Sequence, residues 1–84
     1  MYYLYILECA DQTLYTGITT DLSRRIGEHN KNKLGAKYTA NRRPVKLVYA
    51  KKFATRSAAL KAEARIKKLT KLEKLKLIKK AKKI

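Results

Sequence analysis

The sequence predicts an α+β fold, a three-stranded, mainly antiparallel sheet flanked by helices. Three observations carry this. Short apolar and aromatic runs near 2–9, 14–19 and 45–53 alternate with the two-residue period of strands. Apolar residues recur at three- and four-residue spacing over about 21–30, 55–69 and 70–81, the period of helices. The chain has 84 residues, which makes one domain. A domain of that size buries only roughly 60% of its unfolded surface. A ligand is therefore expected on a face, not in an enclosed cavity.

Tyr2 to Cys9 opens the chain. Its alternating faces are Tyr3, Tyr5, Leu7 and Tyr2, Leu4, Ile6. Both are apolar-bodied, which predicts a central strand. Ala10 to Thr13 breaks the pattern, with Asp11 supplying turn chemistry. Leu14 to Thr19 completes a hairpin, and Tyr5 and Tyr15 share a face of it if the register has an even offset. Gly17 lies inside this strand, where a glycine often marks a close approach to the backbone.

Thr20 or Asp21 caps a helix over about Asp21 to Asn30. Its stripe is Leu22, Arg25, Ile26 and His29, and two of those four are polar. The helix is therefore expected beside the sheet, with its polar members at an exposed edge. Lys31 to Arg43 is basic and loop-like, with a short helical turn around Ala36 to Asn41, and Pro44 ends it. Val45 to Phe53 reads as a third strand at a sheet edge, with Val45, Leu47, Tyr49 on one side and Lys46, Val48, Ala50 on the other.

Thr55 or Ser57 starts a helix to about Leu69. Ala59, Ala62, Ile66 and Leu69 form its stripe, and Glu63 falls on the same face. Thr70 and Glu73 have capping-box spacing and open a last helix with Leu72, Leu75, Ile78 and Ala81 inward. The expected domain is 1–79, with 80–84 as a frayed basic tail.

Lysine and arginine total 22 against six acids, a formal charge of +16. That field attracts polyanions, nucleic acid ahead of anionic membrane. Cys9 stands alone, so neither an internal disulfide nor a CxxC zinc site is expected. MYYLYILEC does not read as a signal peptide, and no run is long enough to span a membrane. The expected location is the cytoplasm.

Five side chains and one glycine stand out chemically. Tyr5 and Tyr15 read either as amphipathic core residues or as a paired phenol site. Arg25 and His29 are helical neighbours at i, i+4. Arg25 suits a phosphate or a salt bridge to Asp21. His29 is the only histidine, and it suits proton transfer or the last carbonyls of its helix. Glu63 sits among apolar neighbours, free either to reach Lys67 at i+4 or to hold Mg²⁺ beside a phosphate.

In order, YLY at 3–5, YTG at 15–17, Arg25, His29 and Glu63 resemble the signature of the GIY-YIG nuclease superfamily. YTGITTDLSRRIGEHN, GAKYT and RRPVKLVY extend the resemblance over nearly the whole chain, which is most similar to its small stand-alone bacterial branch and to the nuclease domain of structure-specific endonuclease catalytic subunits. The resemblance implies a metal-dependent DNA endonuclease. Tyr5 would activate water, Tyr15 would position water or phosphate, and Gly17 would let the backbone come close. Arg25 would neutralise the phosphate, His29 would draw the tyrosine proton, and Glu63 would anchor one Mg²⁺ or Mn²⁺. A phenol ordinarily ionises near 10, and the metal, Arg25 and the overall charge are expected to favour the anion.

Two positions depart from the family pattern. Tyr3 stands where the name-giving glycine would be, and no asparagine follows Asn41. The alternative function is a nucleic-acid-binding module that keeps the fold without turnover. An RNA or ribosome accessory protein would explain the lysines but not the tyrosine, arginine, histidine and glutamate set. The expected partner is DNA rather than RNA, bound by a monomer, with a protein partner for targeting as a further option and no membrane.

Overall fold

A computed structural model describes residues 1–31 and 42–81. The helical turn expected around Ala36 to Asn41 lies outside them. The elements are β1 (Tyr2–Glu8), β2 (Leu14–Thr19), α1 (Leu22–Lys31), β3 (Lys46–Phe53), α2 (Arg56–Lys67) and α3 (Lys71–Ala81). The strands form one antiparallel sheet in the order β2-β1-β3. Strand β1 is central, as its two apolar faces predict, and β3 is an edge.

The hairpin turn is closed by backbone bonds from Cys9 N to Thr13 O and from Gln12 N to Cys9 O, both 2.9 Å. Asp11 Oδ1 accepts from Thr13 N at 3.1 Å and from Thr13 Oγ1 at 2.6 Å. The carboxylate thus does the turn work that short polar side chains do elsewhere, and Thr13 holds its pKa below the ordinary range. Helix α1 starts where Asp21 Oδ1 accepts from Arg24 N, an N-cap that satisfies an otherwise orphan donor. Thr55 does the same for α2 through Ala58 N. The Thr70–Glu73 box closes reciprocally, at 2.8 and 3.2 Å.

The two sheet faces carry different helices. Tyr5, Leu7, Cys9 and Val45 form a buried cluster, with Tyr15 beside it and Leu22 and Ile26 of α1 on top. The opposite face carries Leu4 and Ile6, and there Ala59 of α2 and Ile78 of α3 are buried. Asn30 ties α1 to the approach of β3. Its amide donates to Val45 O at 3.0 Å and accepts from Val45 N at 2.7 Å.

Two sequence expectations are corrected. Strand β3 does not alternate simply, because an irregularity opposite Ile6/Leu7 shifts the register. Leu47 pairs with Leu7 and Tyr49 with Ile6, so these two lie on opposite faces instead of sharing one. Helix α3 is also rotated from its expected setting. Leu72 and Leu75 are 63% and 40% exposed, while Leu77 is half-buried and Ile78 buried. The capping box sets where the helix starts, not which stripe the sheet accepts. The helix continues to Ala81, past the expected domain boundary.

Candidate active site

Tyr5 and Gly17 are direct partners across the β1–β2 pair, and Leu7 faces Tyr15. Partners point to one face, so both tyrosines do too. Their ring centroids are 6.3 Å apart at 41°. The Tyr5 ring lies across Gly17. A Cβ there would sit 2.6 Å from the Tyr5 hydroxyl oxygen and 2.8 Å from Cζ. The glycine is what leaves room for the phenol.

Helix α1 brings Arg25 and His29 onto this pair. Tyr5 Oη lies 3.0 Å from His29 Nε2. The His29 ring is 6.0 Å from the Tyr5 centroid and 5.1 Å from that of Tyr15. His29 is 1% exposed. That corrects the expectation of a polar stripe at an exposed edge, because the imidazole fills core space and takes its hydrogen bond there. Arg25, read as suiting a phosphate or a salt bridge to Asp21, is held by a third partner. Its Nη1 donates to Glu28 Oε1 at 3.0 Å, one turn ahead, since Asp21 is occupied as the helix cap.

The electrostatics assign the protons. Burial, then the Arg25 charge, holds His29 below its ordinary 6.5, against the opposing pull of Glu28. The imidazole is neutral at pH 7. Arg25 can only donate, and it hydrogen-bonds the phenol oxygen. In the tautomer that carries its proton on Nδ1, His29 Nε2 can accept the phenol proton. Burial pushes Tyr5 above its ordinary 10.0; Arg25 opposes this, and the charges of Tyr15 and Glu63 add to it. For the chain's own groups, the cost of burial outweighs the nearby cation. Burial likewise works against the Arg25 charge, but its bonds to Glu28 and Tyr5 win and raise its pKa.

Glu63 comes from a different helix. It projects from α2, whose Ala62 lines a groove with Leu4 on the face opposite Tyr5. The carboxylate is 19% exposed and pairs with Lys67 Nζ at 3.5 Å, the i+4 contact that the spacing allows. Its charge reaches the Tyr5 phenol, but it belongs to none of the hydrogen bonds around it. Four of the six sequence candidates thus meet through ring or hydrogen-bond contacts, with Gly17 beneath them and Glu63 linked electrostatically. No cluster of three His, Cys, Asp or Glu exists among the described residues. A single carboxylate still suits Mg²⁺, which keeps waters and takes phosphate oxygens from a substrate.

Two features escape the sequence reading. Glu28 collects both Arg25 and, at 3.9 Å, Arg24. Its i+3 and i+4 spacing from two arginines was the available signal. An open groove of about 410 Å³ joins Arg24, Arg25 and Glu28 to Thr19 and Arg56. Arg56 reaches it only through the fold.

The buried His29 sets an acid-side stability limit. Its folded pKa is below the unfolded value, so the unfolded chain binds more protons as pH falls through about 6.5. Its contribution is full above 6.5 and is lost as pH drops from there through the lower folded pKa. Urea midpoints measured from pH 7.5 to 5 are expected to fall, and a His29→Gln variant to show a flatter profile. Parallel profiles would contradict a neutral buried imidazole.

Comparison with known proteins identifies the family. A family model described as the GIY-YIG catalytic domain matches residues 1–76. A UPF0213 protein of Syntrophus aciditrophicus is 57% identical over 77 residues, covering 92% of this chain and 88% of the relative. A UPF0213 protein of Streptococcus agalactiae is 53% identical over 77 residues, covering 92% and 86%. The solution structure of a UPF0213 protein from Bacillus halodurans superposes with a TM-score of 0.61 at 42% identity, covering 94% of this chain and 84% of that one. A protein from E. faecalis gives 0.65 at 37% identity, covering 99% and 88%. The family model and these relatives show that the chain belongs to the GIY-YIG family, a family of nuclease type, among its UPF0213 members.

Proposed function

We propose that this protein is a metal-dependent endonuclease that hydrolyses DNA phosphodiester bonds at the Tyr5–His29 pair. The observation that carries this reading is the 3.0 Å contact between Tyr5 Oη and neutral His29 Nε2, over Gly17 and beside Arg25. As Tyr5 Oη takes a proton from an attacking water, its own proton passes to His29 Nε2. Arg25 steadies the negative charge on the phenol oxygen and then on the phosphate. Tyr15, in tilted contact with both rings, orients the water or the phosphate. Glu63 would hold one Mg²⁺ or Mn²⁺, which when bound supplies stabilisation of phosphate charge. The charge of +16 supports a nucleic acid as the substrate class, which this reading takes to be DNA cut by a monomer in the cytoplasm.

A second reading has two observations in its favour. Tyr5 is only 1% exposed, and Arg25 is already held by Glu28, as in a site that binds without turning over. The test is incubation with branched, nicked and supercoiled DNA, with Mg²⁺ or Mn²⁺, alongside Glu63→Ala. Cutting by the native chain and its loss in the variant are expected. Cutting that survives Glu63→Ala would remove the metal role. Tight binding with no cutting of any substrate would favour the binding module. With about six phosphate contacts, log affinity falls against log salt with a slope of about −5.

A further inference from the structure

A second groove lies on the sheet face opposite Tyr5, between β3 and α2. Its volume is about 460 Å³, within the range of about 300–1,000 Å³ typical of small-ligand sites. Leu4 and Ile66 give it an apolar floor, and Tyr49 and Phe53 are its aromatic wall. The register places these rings beside Ile6 and Tyr2, on the face that Leu4 shares.

The rim is cationic on both sides. Lys51 stands on β3, and Lys61 and Arg65 stand on α2. Lys61 and Arg65 are i, i+4, a like-charge spacing that costs a helix a few tenths of a kcal/mol when nothing neutralises it. Among the described residues none of the three has a carboxylate partner, whereas Lys67 on the same helix has Glu63 and Lys46 has Glu8. Lys51 Nζ instead sits 5.6 Å from the Phe53 ring centroid, which ties that cation to the aromatic wall. Tyr49 is half-buried and has neither a ring partner nor a hydrogen bond among the described residues.

We infer that this groove seats one unpaired nucleotide of a single-stranded segment, with the base on Tyr49 and the adjoining phosphates between Lys51, Lys61 and Arg65. A flat ring with a free face accepts any base, and a phosphate on each side of the nucleoside matches cations on two walls. A long-chain carboxylate would engage only one of those cations. The site is separate from the Tyr5 pair and does not need cutting to be read.

The test uses a labelled oligothymidylate of about eight nucleotides and a blunt duplex, titrated into the full chain and into Tyr49→Leu. Single-strand affinity is expected to fall about five- to 100-fold in the variant, with duplex affinity unchanged within about twofold. On the native chain, the oligonucleotide should shift the Tyr49 and Ile66 nuclear magnetic resonances, which keeps the test valid if the variant folds poorly. Equal losses for both nucleic acids, or native Tyr49 resonances that do not move, would overturn the proposal. So would Tyr49 shifts produced by dodecanoate but not by the oligonucleotide.

Discussion

Replacing Tyr5 with Phe is expected to reduce DNA cutting by about 10²- to 10⁴-fold, the range typical of a lost general base, while DNA affinity stays within about twofold. The substitution removes one oxygen. That oxygen connects His29 Nε2, at 3.0 Å, with the Arg25 guanidinium. Without it the imidazole has no proton to accept, and Arg25 loses one of its two partners while Glu28 still holds it. The buried His29 nitrogen is left unsatisfied, at a cost of about 1–3 kcal/mol. Single-turnover cleavage, fluorescence anisotropy and a urea melt on the same preparation separate these effects. Cutting retained above about a tenth of the native rate would show that another group activates the water.

Replacing Gly17 with Ala is expected to lower stability by about 1–3 kcal/mol, or the melting temperature by about 5–20 °C for a domain of this size. The new Cβ would meet Tyr5 Oη at 2.6 Å, Cζ at 2.8 Å and Cε2 at 3.2 Å. The ring cannot swing clear, because it belongs to the buried cluster under Leu22 and Ile26. Displacing it would also break the contact with His29, so cutting should fall with stability. Gly27 provides an opposite control. A Cβ there meets nothing within 4 Å, and the position lies inside α1. Gly27→Ala should stabilise by about 0.5–1 kcal/mol. Equal melting shifts for the two variants would sink the close-approach explanation.

The two glycines show where reading the chain succeeds. Gly17 interrupts a run whose neighbours alternate, and that local conflict flags a close approach before any partner is known. Asp11 and Asp21 are legible for the same reason, since a turn and a cap need only atoms two or three residues away. The Thr70–Glu73 box is equally local. Burial is not local. His29 occupies a position where the periodicity allows either an edge or the core, and only the packing of α1 on Tyr5 and Tyr15 put it inside. The sign of the Tyr5 shift follows from that burial, so a count of nearby positive charge misjudges it.

Leu47 and Tyr49 were separated by one shifted residue in the β1–β3 ladder, a feature with no glycine or proline to announce it. Leu72 and Leu75 face outward because the sheet offers α3 a surface for Leu77 and Ile78 instead. By itself the sequence determined the strands, the helices, the central place of β1 and the set of candidate side chains that the structure gathers around Tyr5. Periodicity and short-range hydrogen bonding are written in neighbouring residues. The tertiary structure alone decided which face each helix covers, that Glu28 holds Arg25, that His29 is neutral against a protonated Tyr5, and that the Glu63 charge falls within reach of the phenol. Those outcomes depend on desolvation and on contacts between distant segments, whose energies exist only once the chain has packed.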